Sequence, residues 1–265
     1  MGNQFDESLR RYQLTAFDDD WGALQRGIEK ESLRVKSNGN ISHSPHPNRL
    51  GSALTNPYIT TDFSEALLEL ITPVSQTIDG CLEELENIHR YTQQNIENDE
   101  ILWATSMPCP LSADTEIPIA QYGKSNIGKL KTLYRHGLHH RYGSLMQAIA
   151  GIHYNFSMPD SFWESYKLLC KFNGSTQEFK TKKYLHLIRN FHRFSWLLLY
   201  LFGASPTACK CFVEGRAHSL SELDDSTLFK PFATCLRMGN LGYKSEAQQS
   251  VSYTHLRAHE TDSYL

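Results

Sequence analysis

A short segment near the start of the chain carries two acidic side chains where a folded protein would place apolar ones. Residues 26–35 read Arg-Gly-Ile-Glu-Lys-Glu-Ser-Leu-Arg-Val. Because side chains alternate between the faces of a β-strand, an extended segment puts Glu29 and Glu31 on the same face as Leu33 and Val35. The two carboxylates then lie roughly 6 to 7 Å apart on the face expected to be buried. Burying them alone costs several kcal/mol each, so the segment predicts a compensating cation nearby.

A second acidic segment, residues 62–73, adds Asp62, Glu65 and Glu69 to the set. Glu65 and Glu69 share a face whether the segment is helical or extended, since four residues fit both periods. If this segment pairs beside the first one, four or five carboxylates meet over a small area, and their mutual repulsion calls for divalent cations. Oxygen ligands of this kind select Mg²⁺ or Mn²⁺ over zinc.

A third segment, residues 151–157, alternates apolar Ile152, Tyr154 and Phe156 with polar His153 and its neighbours. A single strand histidine is usually structural, but a carboxylate cluster also needs neutral donors, and imidazole suits Mn²⁺ or Mg²⁺ sites. His153 is therefore a candidate ligand.

Two less specific interpretations compete with a metal site. In the first, basic side chains beside the carboxylates, at Arg26, Lys30 and Arg34, form ion pairs along an edge strand. In the second, residues 123–129 resemble a phosphate-binding loop, since they read Gly-Lys-Ser-Asn-Ile-Gly-Lys. However, Leu130 stands where that loop needs a hydroxyl side chain. We interpret residues 123–129 as a loop that leads into a helix.

The elements that must position these residues follow from hydrophobic periodicity. Residues 26–35, 67–72 and 151–157 are predicted strands, and residues 79–96 form an amphipathic surface helix. Residues 128–150 are predicted to form one or two helices carrying basic side chains. A helix around 184–199 becomes apolar on nearly every side, which predicts a central core helix that Gly203 and Pro206 end.

Composition excludes several classes of protein. The chain has 265 residues, 40% of them hydrophobic, which is enough for a buried core and argues against disorder. A formal net charge of −3 gives no general attraction to nucleic acid or anionic lipid. The longest apolar run, residues 196–204, is too short to span a membrane, and residues 1–11 are too polar for a signal peptide. We therefore expect a cytoplasmic protein whose six cysteines are reduced thiols.

Taken together, the motifs resemble the proteobacterial type of the glutamate–cysteine ligase family. They occur in order along residues 21–250: residues 26–35, 61–69, 106–109, 121–123, 151–157, 201–206, 236–238 and 241–243. The resemblance implies an α+β fold similar to the glutamine synthetase superfamily, with a curved, mainly antiparallel sheet backed by helices. It also implies synthesis of γ-glutamylcysteine from L-glutamate, L-cysteine and ATP, the first step of glutathione biosynthesis, with Mg²⁺ or Mn²⁺ and through a γ-glutamyl phosphate.

The resemblance also implies roles for individual residues, each within a matched motif. Catalytic roles are implied for Glu29, Glu69 and Arg237, and Glu65 is a less certain neighbour of the metal. The implied metal ligands are Glu29, Glu31, Asp62, Glu69 and His153. The implied glutamate-binding residues are Gln147, Asn155 and Arg237, and the implied cysteine pocket comprises Phe63, Tyr134, Arg135 and Tyr243. Core packing is the alternative explanation for the aromatic residues.

One departure from the family pattern affects the expected activity. Members of the family are longer, and their C-terminal half supplies a further metal-binding Glu, an adjacent Arg and much of the ATP site. We therefore expect residues 1–250 to be the N-terminal part of a single catalytic domain, inactive alone, and residues 251–265 to be a non-native, adapter-derived tail. Alternatives are a non-catalytic domain that binds divalent metal or amino acids, and a glycosidase that uses Glu29 and Glu65.

Overall fold

The computed structural model describes residues 22–236, apart from positions 109, 112–114 and 204, together with Arg10. The strands are β1 (Gln25–Lys36), β2 (Ile59–Thr61), β3 (Leu67–Ile71), β4 (Glu100–Leu102), β5 (Ile152–Ser157), β6 (Thr207–Cys209), β7 (Ser221–Glu222) and β8 (Thr227–Phe229). The helices are α1 (Ile78–Asn95), α2 (Asn126–Tyr142), α3 (Asp160–Leu169), α4 (Thr176–Phe202) and the short α5 (Lys210–Val213). The predicted α+β class is confirmed.

The long strand β1 organises a five-stranded antiparallel sheet. One edge of β1 pairs with β3, which in turn pairs with β2. The other edge pairs with β5 along its first half and with β4 along its second half. The three predicted strands therefore lie side by side, with β1 in the middle. A smaller antiparallel sheet has the order β6-β8-β7.

Along one face of β1 the chemical character changes from apolar to acidic. Leu33 and Val35 pack into a buried cluster with Leu67 and with the turn before β5, whereas Glu29 and Glu31 occupy the same face farther along the strand. The apolar half anchors the sheet, and the acidic half is left to form a site.

The opposite face of the sheet is covered by α1. Leu68 and Leu70 of β3 are fully buried there against Leu85 and Ile88 of the helix. Thr77 caps α1, because its side chain accepts a hydrogen bond from the backbone N–H of Gly80. The amphipathic helix predicted for residues 79–96 is confirmed.

Helix α2 begins immediately after the segment that resembles a phosphate-binding loop. Ser125 caps it by accepting a hydrogen bond from the backbone N–H of Gly128 at 3.1 Å. This serine therefore serves a helix end, as our interpretation of a loop leading into a helix requires.

Helices α3 and α4 form a hairpin with a core of its own. Phe179 of α4 is 1% exposed and packs against Trp163 and Phe162 of α3. Beyond Tyr184, however, most of the large apolar side chains of α4 are exposed. The prediction of a central core helix is therefore wrong for the described part of the chain, because no described element covers this part of α4.

Five described cysteines, Cys81, Cys170, Cys209, Cys211 and Cys235, are free thiols, in agreement with the sequence. Among the residues that the structure describes, no helix has the length and hydropathy needed to cross a bilayer.

Candidate metal and substrate site

The acidic half of the sheet face brings together three groups that could bind one metal ion. Glu29 on β1, Glu69 on β3 and His153 on β5 each offer a ligand atom, and these atoms all lie within 4.8 Å of one another. Strand register explains the proximity, because His153 pairs directly with Glu29, and Glu31, two residues along β1, pairs with Glu69. His153 Nδ1 lies 3.2 Å from Glu29 Oε2. All three residues are among the ligands predicted from the sequence.

Glu31 lies beside this group and is held by the backbone before β5. The Gly151 N–H donates to Glu31 Oε2 at 2.6 Å. A Cβ atom on Gly151 would lie 3.4 Å from the same oxygen and 3.5 Å from His153 Nε2, so this glycine is in close but ordinary contact with both side chains. Glu31 Oε2 thus helps to hold the residue before β5 against β1.

The electrostatics of the site centre on Glu69. Burial, followed by the negative charges of Asp62, Glu31 and Glu29, raises the pKa of Glu69 to about 7. Asp62, the fifth predicted ligand, therefore lies near enough to act on Glu69 by charge. A half-buried carboxylate among three others is unfavourable as an anion, and a bound divalent cation removes that penalty. Carboxylates with a single imidazole are a donor set that suits Mg²⁺ or Mn²⁺.

Glu65 does not belong to this group, contrary to the expectation that it shares a face with Glu69. A turn at residues 64–67 precedes β3, so the strand alternation does not extend back to Glu65. Its carboxylate is buried and accepts hydrogen bonds from the backbone N–H groups of His46 and Gln121, both at 2.7 Å. Glu65 therefore holds two loops together, which removes the basis for pairing it with Glu29 in a glycosidase.

Two amide side chains predicted to bind glutamate are placed differently. Asn155 lies on β5 and donates from Nδ2 to Glu29 Oε1 at 2.8 Å, so it lies next to the candidate metal ligands. Gln147 lies in the turn of residues 145–148, and its Nε2 is buried without a hydrogen-bond partner in the described structure. A buried amide donor without an acceptor is costly, and a ligand oxygen would satisfy it.

The residues predicted to surround cysteine are only partly available to a ligand. Tyr134 on α2 is 64% exposed. Phe63 is 1% exposed and packs in the apolar cluster beneath the sheet, so in this structure it serves the core and offers no surface to a thiol. This was the alternative that the sequence left open for the aromatic residues.

Arg135 contacts the backbone of the acidic segment. Its Nε donates to the carbonyl oxygen of Asp62, and its Nη1 donates to the carbonyl of Lys131 at 2.9 Å. The guanidinium also lies over the ring of Tyr122, 4.5 Å from the centroid. The described contacts of Arg135 thus hold residues 61–62 in place and leave few donors for a substrate carboxylate.

Tyr122 is a site-supporting residue that sequence reasoning missed. It is 5% exposed, and its hydroxyl donates to the carbonyl oxygen of Thr61 at 2.6 Å. Together with Arg135 it clamps the backbone that presents Asp62. The only signal in the sequence was its position in the motif of residues 121–123, which carried no role there.

Arg237 and Tyr243, predicted to bind glutamate and cysteine, lie outside the described residues, as does the segment 251–265. Their roles stay predictions.

The fold and site define an α+β protein with a candidate divalent-cation site on the open half of an antiparallel sheet. The chain belongs to the glutamate–cysteine ligase family, which it matches over residues 13–264. The resemblance inferred from the motifs is thereby confirmed.

Comparison with individual proteins gives the same family. Relatives named glutamate–cysteine ligase include those of Alcanivorax borkumensis, 54% identical over 235 residues, and Hahella chejuensis, 51% identical over 260 residues. These matches cover 88% and 97% of this chain but only 45% and 49% of the relatives. The chain therefore spans about half the length of the curated relatives it matches.

Solved structures with a similar fold include those of two further relatives. The glutamate–cysteine ligase of Francisella tularensis, crystallised in complex with AMP, is 43% identical with a TM-score of 0.77, covering 86% of this chain and 44% of that one. A bifunctional glutathione synthetase from Pasteurella multocida is 30% identical with a TM-score of 0.72, covering 94% of this chain and 32% of that one.

Proposed function

We propose that this chain forms the cation-binding and glutamate-binding part of an ATP-dependent ligase that joins the γ-carboxyl group of L-glutamate to the amine of L-cysteine. The observation that carries the proposal is the convergence of Glu29, Glu69 and His153 within 4.8 Å, on strands far apart in sequence. Family membership supports the reaction, and the AMP complex of the Francisella relative supports the use of ATP.

The reaction needs activation, because a carboxylate and an amine do not condense unaided in water. The γ-carboxylate first takes the terminal phosphoryl group of ATP, which releases ADP and leaves γ-glutamyl phosphate. The amine of L-cysteine then displaces inorganic phosphate and loses a proton, and the amide bond forms. This reaction is the first step of glutathione biosynthesis.

The residues of this chain provide binding and orientation for those steps. Glu29, Glu69 and His153 would hold Mg²⁺ or Mn²⁺, with Glu31 and Asp62 beside them. The chemistry supplied by that cation is neutralisation of the phosphate oxygens during phosphoryl transfer.

Further residues would bind the two amino acids. The unpaired donor of Gln147 and the amide of Asn155 are suited to the oxygens of L-glutamate. Arg237 would bind a glutamate carboxylate, and Tyr134 and Tyr243 would line the cysteine pocket.

A location in the cytoplasm, small-molecule substrates, and the lack of a nucleic-acid or membrane partner complete the proposal. The described free thiols and the net charge of −3 support it, since neither an oxidising compartment nor a nucleic-acid partner is indicated.

The binding half of the proposal can be tested on the isolated chain. Mn²⁺ is titrated and followed by electron paramagnetic resonance, and L-glutamate binding is then measured by calorimetry in saturating Mn²⁺. We expect Asn155→Ala to weaken L-glutamate binding about tenfold or more, whereas Ser157→Ala, on the same strand and contacting Gln25, leaves it unchanged. Absence of Mn²⁺ binding would contradict the proposal, and Mn²⁺ binding without binding of ATP analogues would favour a non-catalytic binding domain.

Turnover is tested by ADP release that depends on both amino acids. Because the chain spans about half the length of its relatives, we expect no turnover from it alone and turnover once the remaining half is supplied. Robust turnover by the isolated chain would show that this half already contains a complete active site.

A further inference from the structure

The second part of α4 is exposed, and its last two turns, residues 196–202, are apolar on all sides. Eleven large apolar side chains between Leu185 and Phe202 are each at least 40% exposed. Successive helical positions are 100° apart, so the seven apolar residues 196–202 together point in almost every direction around the axis. A helix of this kind belongs inside a protein, because no single face of it is suited to water.

A second apolar surface lies on β5. Ile152, Tyr154 and Phe156, on the face opposite His153, are 42–63% exposed. In the described structure β5 pairs with β1 only, so its outer edge keeps backbone donors and acceptors free for another strand. Exposed apolar edge strands promote association with further polypeptide.

The lengths of the relatives indicate what covers these surfaces. Curated relatives have about half their length outside the part that this chain matches, and this chain covers 44% of the Francisella structure. A second copy of this chain is a poorer fit for α4, since a two-fold contact buries one face of a helix and leaves the others in water. A large polypeptide that surrounds the helix can bury all of them.

We propose that residues 185–202 of α4 and the outer face and edge of β5 are the docking surface for the polypeptide that corresponds to the second half of the relatives, and that the two polypeptides associate without a covalent link. This surface has the character of an obligate interface, which resembles a domain core cut in half. The proposal depends on family membership and on the exposed surface, and does not depend on the proposed reaction.

The test uses the full 265-residue chain and, as a separate tagged polypeptide, the part of the Hahella relative beyond the match. The two are co-expressed, and the complex is measured by co-purification and light scattering. We expect a 1:1 complex. If the two polypeptides fail to associate, the second half is fused to the chain by a flexible linker and hydrogen exchange is measured. The proposal is overturned if hydrogen exchange in residues 185–202 of this fusion is also as fast as in the isolated chain.

Paired variants locate the surface. Phe194→Asp with Leu198→Asp places two charges one turn apart on the exposed part of α4, and we expect association to weaken at least about tenfold. The matched control is Ile78→Asp with Leu82→Asp, which has the same spacing and similar exposure on α1, and which should associate like wild type. Equal loss in both pairs, equal retention in both, or a homodimer that excludes the second half would overturn the proposal.

Discussion

At the scale of single residues, Glu69 is the side chain on which the metal-site proposal can be tested most directly. Glu69 is half-buried among other carboxylates, so its negative charge is unfavourable without a cation. Its ligand atom lies within 4.8 Å of those of Glu29 and His153. We expect Glu69→Gln to lower Mn²⁺ affinity about 10- to 100-fold, at least as much as the loss of an outer partner of a metal ligand. Calorimetric titration measures this, with the exposed Glu86→Gln as control. Unchanged affinity would remove Glu69 from the site.

The same residue predicts how stability depends on pH when metal is absent. Its pKa is about 7 in the folded chain against an ordinary value of 4.5, so folding favours the protonated form. The stabilising contribution of this group is therefore fully present below about pH 4.5 and is lost as the pH rises through about 7. Urea denaturation in EDTA should show the free energy of unfolding of wild type falling relative to Glu69→Gln over that interval. Parallel pH profiles would contradict the assignment, and saturating Mn²⁺ should abolish the decline.

At the scale of elements, the turn between β2 and β3 is positioned by α2 and the loop before it. Tyr122 and Arg135 hold the carbonyl groups of Thr61 and Asp62. We expect Tyr122→Phe to leave a buried carbonyl with weaker pairing, which costs about 1–3 kcal/mol of stability. Mn²⁺ affinity should fall as well, because the backbone that presents Asp62 loosens. Tyr58→Phe, at a 48% exposed position just before β2, should change neither quantity. Lost stability with unchanged Mn²⁺ affinity would limit the clamp to a purely structural role.

A buried ion pair joins β1 to β4. Arg34 Nη1 lies 2.9 Å from Glu100 Oε2, both side chains are 0% exposed, and the hydroxyl of Ser42 also donates to this carboxylate. We expect Glu100→Gln to lower the free energy of unfolding by about 3–5 kcal/mol, since it leaves the guanidinium charge buried without an anion. The neighbouring Asp99 pairs with Lys36 in solvent, so Asp99→Asn should have a much smaller effect. Similar losses in the two variants would show that burial is not the deciding factor.

At the scale of the whole molecule, the sequence predicted the parts whose patterns are long enough to be read. The alternation in residues 26–35 and 151–157 and the period of residues 79–96 predicted β1, β5 and α1, and β1 and β5 were enough to bring Glu29 and His153 together. The three-residue strands β2 and β4 are too short to show a period. Glu65 was misplaced because a turn interrupts the alternation, and the fixed roles of Tyr122 and Arg135 depend on contacts more than 55 residues apart.

The molecule has separate cores, and this arrangement predicts how it unfolds. The α3–α4 hairpin packs around Phe179, Trp163 and Phe162, whereas the sheet is anchored by buried side chains such as Leu68. We expect Phe179→Ala to lower the stability of the hairpin by about 3–5 kcal/mol and to shift the loss of helical circular dichroism to lower urea. Mn²⁺ affinity, which reports the sheet, should stay at the wild-type value.

The reverse variant completes the experiment. Leu68→Ala removes a fully buried side chain between β3 and α1, so it should weaken Mn²⁺ binding in urea at concentrations where the helical signal of α4 persists. If instead either variant shifts the circular dichroism and the Mn²⁺ signals together, the two cores unfold as one cooperative unit. Hairpin and sheet would then be coupled through the short segment that connects β5 to α3, since residues 158–159 are all that separates the site strand from the helices.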